Sequence, residues 1–148
     1  MSTSTRRCGL LLCGLLLSSA SLAMGQQTNT QIKKVPAPYT SPTSGREMFV
    51  SYCAACHGNE GKGDGPAAPW LKAPPPDLTT LAKRHDGKFP GSYVVIVLRN
   101  GAAPIHGTLD MPIWGPIFGA INGKGQDSPE VNLRISNVAK YLESIQSK

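Results

Sequence analysis

The sequence predicts an all-α fold, one small domain over residues 44–148, on three observations. Ser44-Gly45-Arg46-Glu47 has the spacing of a capping box just ahead of Phe49, Tyr52 and Cys56, which share one helical face. Val131, Ile135, Val138, Leu142 and Ile145 recur at helical spacing near the C-terminus. The one β-branched run, Val94-Val95-Ile96-Val97, has no apparent partner strand. The core supply is thin: aromatics are 6% of the chain, against 16 glycines and 13 prolines. A domain of this size buries a modest core and gains from a covalent or ligand staple.

In chain order, Arg6 and Arg7, the apolar run Cys8–Leu17 and small residues at Ala23 and Gly25 form a signal-peptide pattern over 1–25. The apolar run is shorter than the roughly 20 residues of a membrane span; an uncleaved anchor is the alternative to cleavage. Export places the mature chain in the periplasm. Cleavage would remove Cys8 and Cys13 and lower the formal charge from +6 to +4. The remaining charges form no basic stripe, which argues against nucleic acid as a partner; a mild positive balance suits acidic redox proteins.

Residues 26–43, with Pro36, Pro38 and Pro42, read as an extended linker or arm. The first helix is expected over Gly45–Cys56, with Ser44 and Glu47 capping reciprocally and Gly58 ending it. From Gly58 to Pro76 glycines and prolines predict a long loop, which fits a compact domain only when it wraps something, such as a cofactor edge. Asp77 caps a short helix over Leu78–His85, and Ser92 another over Tyr93–Asn100, closed by Gly101. Residues 102–125 read as loop. The last helix spans about Pro129 to Gln146, with Pro129 in its first turn.

The chemistry lies in Cys53-Ala54-Ala55-Cys56-His57. This spacing puts two thiols at one helix end, ready to form thioethers with the vinyl groups of one covalent haem c, and puts His57 under the iron. A redox dithiol, a zinc site and a strained disulfide are the other readings of the cysteine pair; zinc would have only His85 and His106 to complete it. A sixth iron ligand is expected from Met111, in the loop Asp110-Met111-Pro112, since Met48 sits too near His57 to reach the opposite face. His106 competes for that place, and an open iron site is the third alternative. Trp70, Leu71, Leu78, Tyr93, Ile96, Val97, Ile113, Trp114 and Phe118 are candidate haem walls; Trp70, Tyr93 and Arg99 are candidates to reach a propionate.

With Gly45 and Phe49 ahead of the pentapeptide, Gly65-Pro66 and Met111-Pro112 after it, and Tyr141-Leu142 in the last helix, residues 44–146 resemble the class I cytochromes c of small soluble bacterial type. The resemblance implies three to five helices around one covalently bound haem, joined by long Gly/Pro-rich loops, with the terminal helices crossing and Gly45 or Phe49 against Tyr141. It implies that the Pro66 carbonyl accepts from His57 Nδ1–H, and that His57 and Met111 hold the iron. The function expected is one-electron transfer between a redox protein donor and acceptor in the periplasm or at the membrane, with no catalytic side chain. An electron-entry subunit of a larger membrane-associated oxidoreductase complex, or a haem enzyme with an open iron site, are the alternatives.

Overall fold

Ser44 Oγ accepts the Glu47 amide at 3.2 Å and opens α1 (Gly45–Met48). The computed structural model describes residues 37–101 and 111–148, and all regular structure among them is helical. The expected capping box is half formed. Glu47 turns its carboxylate to the Ser41 amide at 3.4 Å, because the Ser44 amide is already taken by the Ser41 carbonyl at 3.2 Å.

The attachment helix is continuous but not uniform. A π-helical turn (Phe49–Cys53) separates α1 from α2 (Ala54–His57), with the Ala54 amide bonded to the Phe49 carbonyl. The wider turn inserts one residue and resets which face the cysteines and His57 present relative to Phe49. The chain leaves α2 at Gly58, whose φ of +76° favours glycine.

The loop that follows is organised by the helix end. Ala67, Gly65 and Gly63 amides donate to the Ala55, Cys56 and His57 carbonyls at 2.8, 3.1 and 2.8 Å. These are the carbonyls a helix terminus leaves unpaired. Gly65 must be glycine for this: a Cβ there would stand 2.5 Å from the Ala55 carbonyl oxygen and 2.6 Å from that of Ala54.

Three helices complete the fold: α3 (Gly91–Asn100), α4 (Trp114–Asn122) and α5 (Pro129–Ser144). Val94–Val97 is helical despite its β-branching, with Val94 and Leu98 buried. α3 begins at Gly91, one residue before the expected cap Ser92, with Pro90 at its N-cap and no side-chain cap, and closes at Gly101. α4 lies where a loop was expected. The helix Leu78–His85 is instead one 3₁₀ turn, Leu78–Thr80, followed by turns. α5 starts on Ser128, whose Oγ accepts the Val131 amide, and ends two residues before Gln146.

α5 packs against α1, α3 and α4. Gly45 lets α1 approach Asn137 and Tyr141, and the Phe49 and Tyr141 rings meet at 5.3 Å, so both forms of the expected helix crossing occur together. Met48, Phe49, Phe118, Val131, Ile135 and Val138 are fully buried at this junction; each such side chain contributes about 1.5–3 kcal/mol of burial.

The last residues of the arm belong to this core. Thr40 is 2% exposed, and its Oγ1 meets Tyr52 at 3.0 Å and the Arg134 guanidinium at 3.1 Å. Tyr52 donates to the Pro38 carbonyl and Asn137 to that of Pro42. Among the described residues no helix is long and apolar enough to cross a membrane. Residues 1–36, with the expected signal segment and most of the arm, lie outside the described residues, as do Ala102–Asp110 with His106.

Candidate haem site

Cys53, Cys56, His57 and Met111 all line one cavity of about 450 Å³. The π turn and α2 bring the first three there together, since they sit within five residues on one helix end. Met111 comes from the approach to α4, 54 residues further on. Both cysteines are free thiols. Burial, and then the neighbouring Cys56, push the Cys53 thiol up to about 12, so it is held as a thiol at neutral pH.

His57 is 9% exposed, and burial holds its imidazole below the ordinary histidine range. The Pro76 carbonyl acts in the opposite sense, as an acceptor facing the ring. Nδ1 is buried and without a hydrogen-bond partner of good geometry, which makes the Pro76 carbonyl the backbone group on hand for an Nδ1–H. Pro66, expected in this role, lines a separate open cleft with Ala55, Asp64 and Gly65. The loop returns along the end of α2. It spends Gly65 and its neighbours on helix-end carbonyls and carries the chain on to Pro74-Pro75-Pro76, which wall the cavity.

The remaining walls are apolar. Leu71, Leu78, Tyr93, Val97 and Trp114 line the cavity as expected; Trp70, Ile96, Ile113 and Phe118 do not. Trp70 is 86% exposed, Ile96 and Ile113 face outward, and Phe118 is spent in the core against Tyr52 and Trp114. Sequence reasoning missed Phe49, Tyr52, Leu81, Val94, Leu98, Val138 and Leu142. The helical stripe carrying Val138 and Leu142 was visible, but not that one end of it faces a cavity. Arg99 gives its guanidinium to the Asn132 side chain.

These residues fit a covalently held haem. Two thiols and an imidazole converge on an apolar cavity of cofactor size, and a thioether stands on the same cavity. The buried Nδ1 leaves one ring nitrogen to face a backbone acceptor and the other to face a metal. Among the described residues no three His, Cys, Asp or Glu side chains cluster as a metal-ion cage.

The family model described as cytochrome c matches residues 42–117, from the arm's end through the first turn of α4. No curated protein and no solved structure matches the chain.

Proposed function

Because the chain belongs to the cytochrome c family, whose members carry haem c covalently and transfer electrons, we propose that it is a monohaem one-electron carrier with iron held between His57 and Met111. One observation carries this reading. His57, both cysteines and Met111, distant in sequence, line the same apolar cavity. When bound, the haem supplies a reversible one-electron change at its iron.

The chain's own residues set the conditions for that change. Cys53 and Cys56 fix the group by thioethers. His57, kept neutral by burial, would offer the iron a nitrogen lone pair. Met111, on the same cavity, would offer a soft sulfur, which would favour the reduced state relative to a second nitrogen. Leu78, Leu81, Val94, Leu98 and Trp114 exclude water and keep the local dielectric low, which limits reorganisation around the changing charge. The reading requires no side chain acting as acid, base or nucleophile.

We place the mature chain in the bacterial periplasm, because haem is attached to this motif outside the cytoplasm and residues 1–25 read as an export signal. Its partners are then a redox protein donor and acceptor, either soluble or part of a membrane complex.

The test is the ferric absorption spectrum of purified holoprotein beside Met111→Ala. A far-red sulfur-to-iron charge-transfer band present in the parent and absent in the variant is expected. Identical spectra would remove Met111 from the iron, and a parent spectrum of an open site would favour an enzyme or small-molecule binder instead. Replacing Cys53 and Cys56 together by alanine should abolish covalent haem.

A further inference from the structure

In a helix running on from Leu78, the Ala82 amide would donate to the Leu78 carbonyl. Here the side chain of Gln146 stands between them. Ala82 N–H donates to Gln146 Oε1 at 2.8 Å, and Gln146 Nε2 donates to the Leu78 carbonyl at 2.8 Å. The same Nε2 reaches the Leu142 carbonyl at 2.6 Å, which ties the clip to the end of α5. Ser147 adds its amide and hydroxyl to the Thr79 carbonyl at 2.7 and 3.0 Å.

The clipped segment is a wall of the cavity. Leu78 and Leu81 line it, and Pro76 lies two residues before Leu78. There is little slack between them. The Leu78 amide is bonded to the Gly61 carbonyl at 2.7 Å. The Asp77 carboxylate holds the Thr79 amide at 2.8 Å, and its carbonyl accepts from Arg84 at 2.7 Å. These bonds tie Leu78 and Asp77 into one short, taut segment with Pro76, which lines the cavity with His57.

We propose that Gln146 is a positioning residue for the histidine side of the haem, holding the Pro76 carbonyl on the cavity wall it shares with the buried, unpartnered His57 Nδ1, within reach of its N–H. The proposal rests on His57 being an iron ligand. An acceptor at Nδ1–H makes the imidazole a stronger donor to iron and favours the oxidised state. Releasing the clip weakens that acceptor and raises the reduction potential.

The experiment compares holoprotein with Gln146→Met, which keeps the volume and removes the carboxamide, and with Gln146→Glu. The carboxylate of Gln146→Glu retains the acceptor for Ala82 and loses the donor to Leu78. Amide exchange at Ala82, the midpoint potential and the His57 Nδ1–H proton resonance are read on each. Gln146→Met should exchange Ala82 roughly tenfold faster, as expected for ~1.4 kcal/mol of lost local protection. Its potential should move positive and its His57 Nδ1–H should exchange faster, with the far-red band retained; Gln146→Glu should fall between. Faster exchange at Ala82 with unchanged potential and unchanged His57 resonance would overturn the proposal and leave Gln146 a structural clip. A parent protein with no iron-bound His57 signal would instead overturn the ligand assignment beneath it.

Discussion

Gly45 of α1 lies against the backbone of Asn137 in α5, so close that a Cβ at position 45 would collide with the Asn137 carbonyl. The atom it would strike is main chain within a packed helix, so it cannot swing aside. Gly45→Ala gains up to about 1 kcal/mol of helix propensity but forces the two helices apart. Overpacking of this kind costs about 1–3 kcal/mol, and the collision with backbone puts this site at the upper end. A lower midpoint in urea for holo Gly45→Ala is expected; a stability equal to the parent would mean that the crossing is looser than the geometry shows.

Arg134 has no exposed surface, and its guanidinium bonds Glu130 at 2.9 and 3.1 Å, Thr40 at 3.1 Å and the Met48 sulfur at 3.7 Å. It also stacks over Tyr39, 5.4 Å from the ring centre. Removing one partner of a buried ion pair costs about 3–5 kcal/mol. Glu130 is partly exposed and has Lys124 nearby at 3.7 Å, so its stranded charge is better solvated, and about 2–3 kcal/mol is expected for Arg134→Met. Limited proteolysis should then open the chain first between residues 38 and 43, because Thr40 loses the group that anchors it.

What could be read from the sequence was local. The pentapeptide and the stripe of α5 each depend on spacing within one element, and the Gly45–Tyr141 crossing was legible only through the family resemblance. What could not be read depends on where a distant segment arrives. α4 was hidden because Gly115, Pro116 and Gly119 look like loop residues. In the fold the two glycines are points of close approach, to the Arg99 carbonyl and to the backbone of Gly125 and Gln126. The helix expected after Asp77 fails because Gln146, 64 residues beyond Ala82, takes the hydrogen bond that would propagate it. Pro76 rather than Pro66 lines the cavity with His57 for the same kind of reason: the loop is folded first on the helix end.

Asp77 accepts the Thr79 hydroxyl at 2.6 Å and its amide at 2.8 Å. The hydroxyl bond above all holds the Asp77 carboxyl below the ordinary carboxylate range. A carboxylate lowered in the folded state contributes stability in full above its unfolded value, 3.8, and loses that contribution as pH falls through the folded value. Asp77→Asn keeps an acceptor oxygen but does not titrate. The stability difference between parent and Asp77→Asn should be level above about pH 5 and decline in the parent below 3.8. Asp77→Ala removes the cap altogether and should cost about 0.5–1 kcal/mol at neutral pH, the lower half of the capping range because only a single 3₁₀ turn depends on it.

Gly115 sits where α4 meets the end of α3, and a Cβ there would stand 2.6 Å from the Arg99 carbonyl oxygen. Only Pro112, Ile113 and Trp114 separate it from Met111, and Ile113 already packs on Gly101, where a Cβ would come within 3.0 Å of its Cγ1. The start of α4 is thus held against α3, and Met111 is carried with it. In Gly115→Ala this contact must open, and the strain of about 1–3 kcal/mol is relieved most easily by moving the short approach segment. If Met111 is the sixth ligand, its sulfur is the bond that gives way. Exogenous imidazole should then bind the ferric variant roughly tenfold more tightly than the parent, the equivalent of ~1.4 kcal/mol taken from the iron–sulfur bond. Gly91→Ala is the control, since a Cβ there meets only the Phe89 ring at 3.7 Å and the residue lies at the far end of α3 from Arg99. Equal imidazole affinity in Gly115→Ala and the parent, with Gly115→Ala fully folded, would show that the α3–α4 contact does not position Met111.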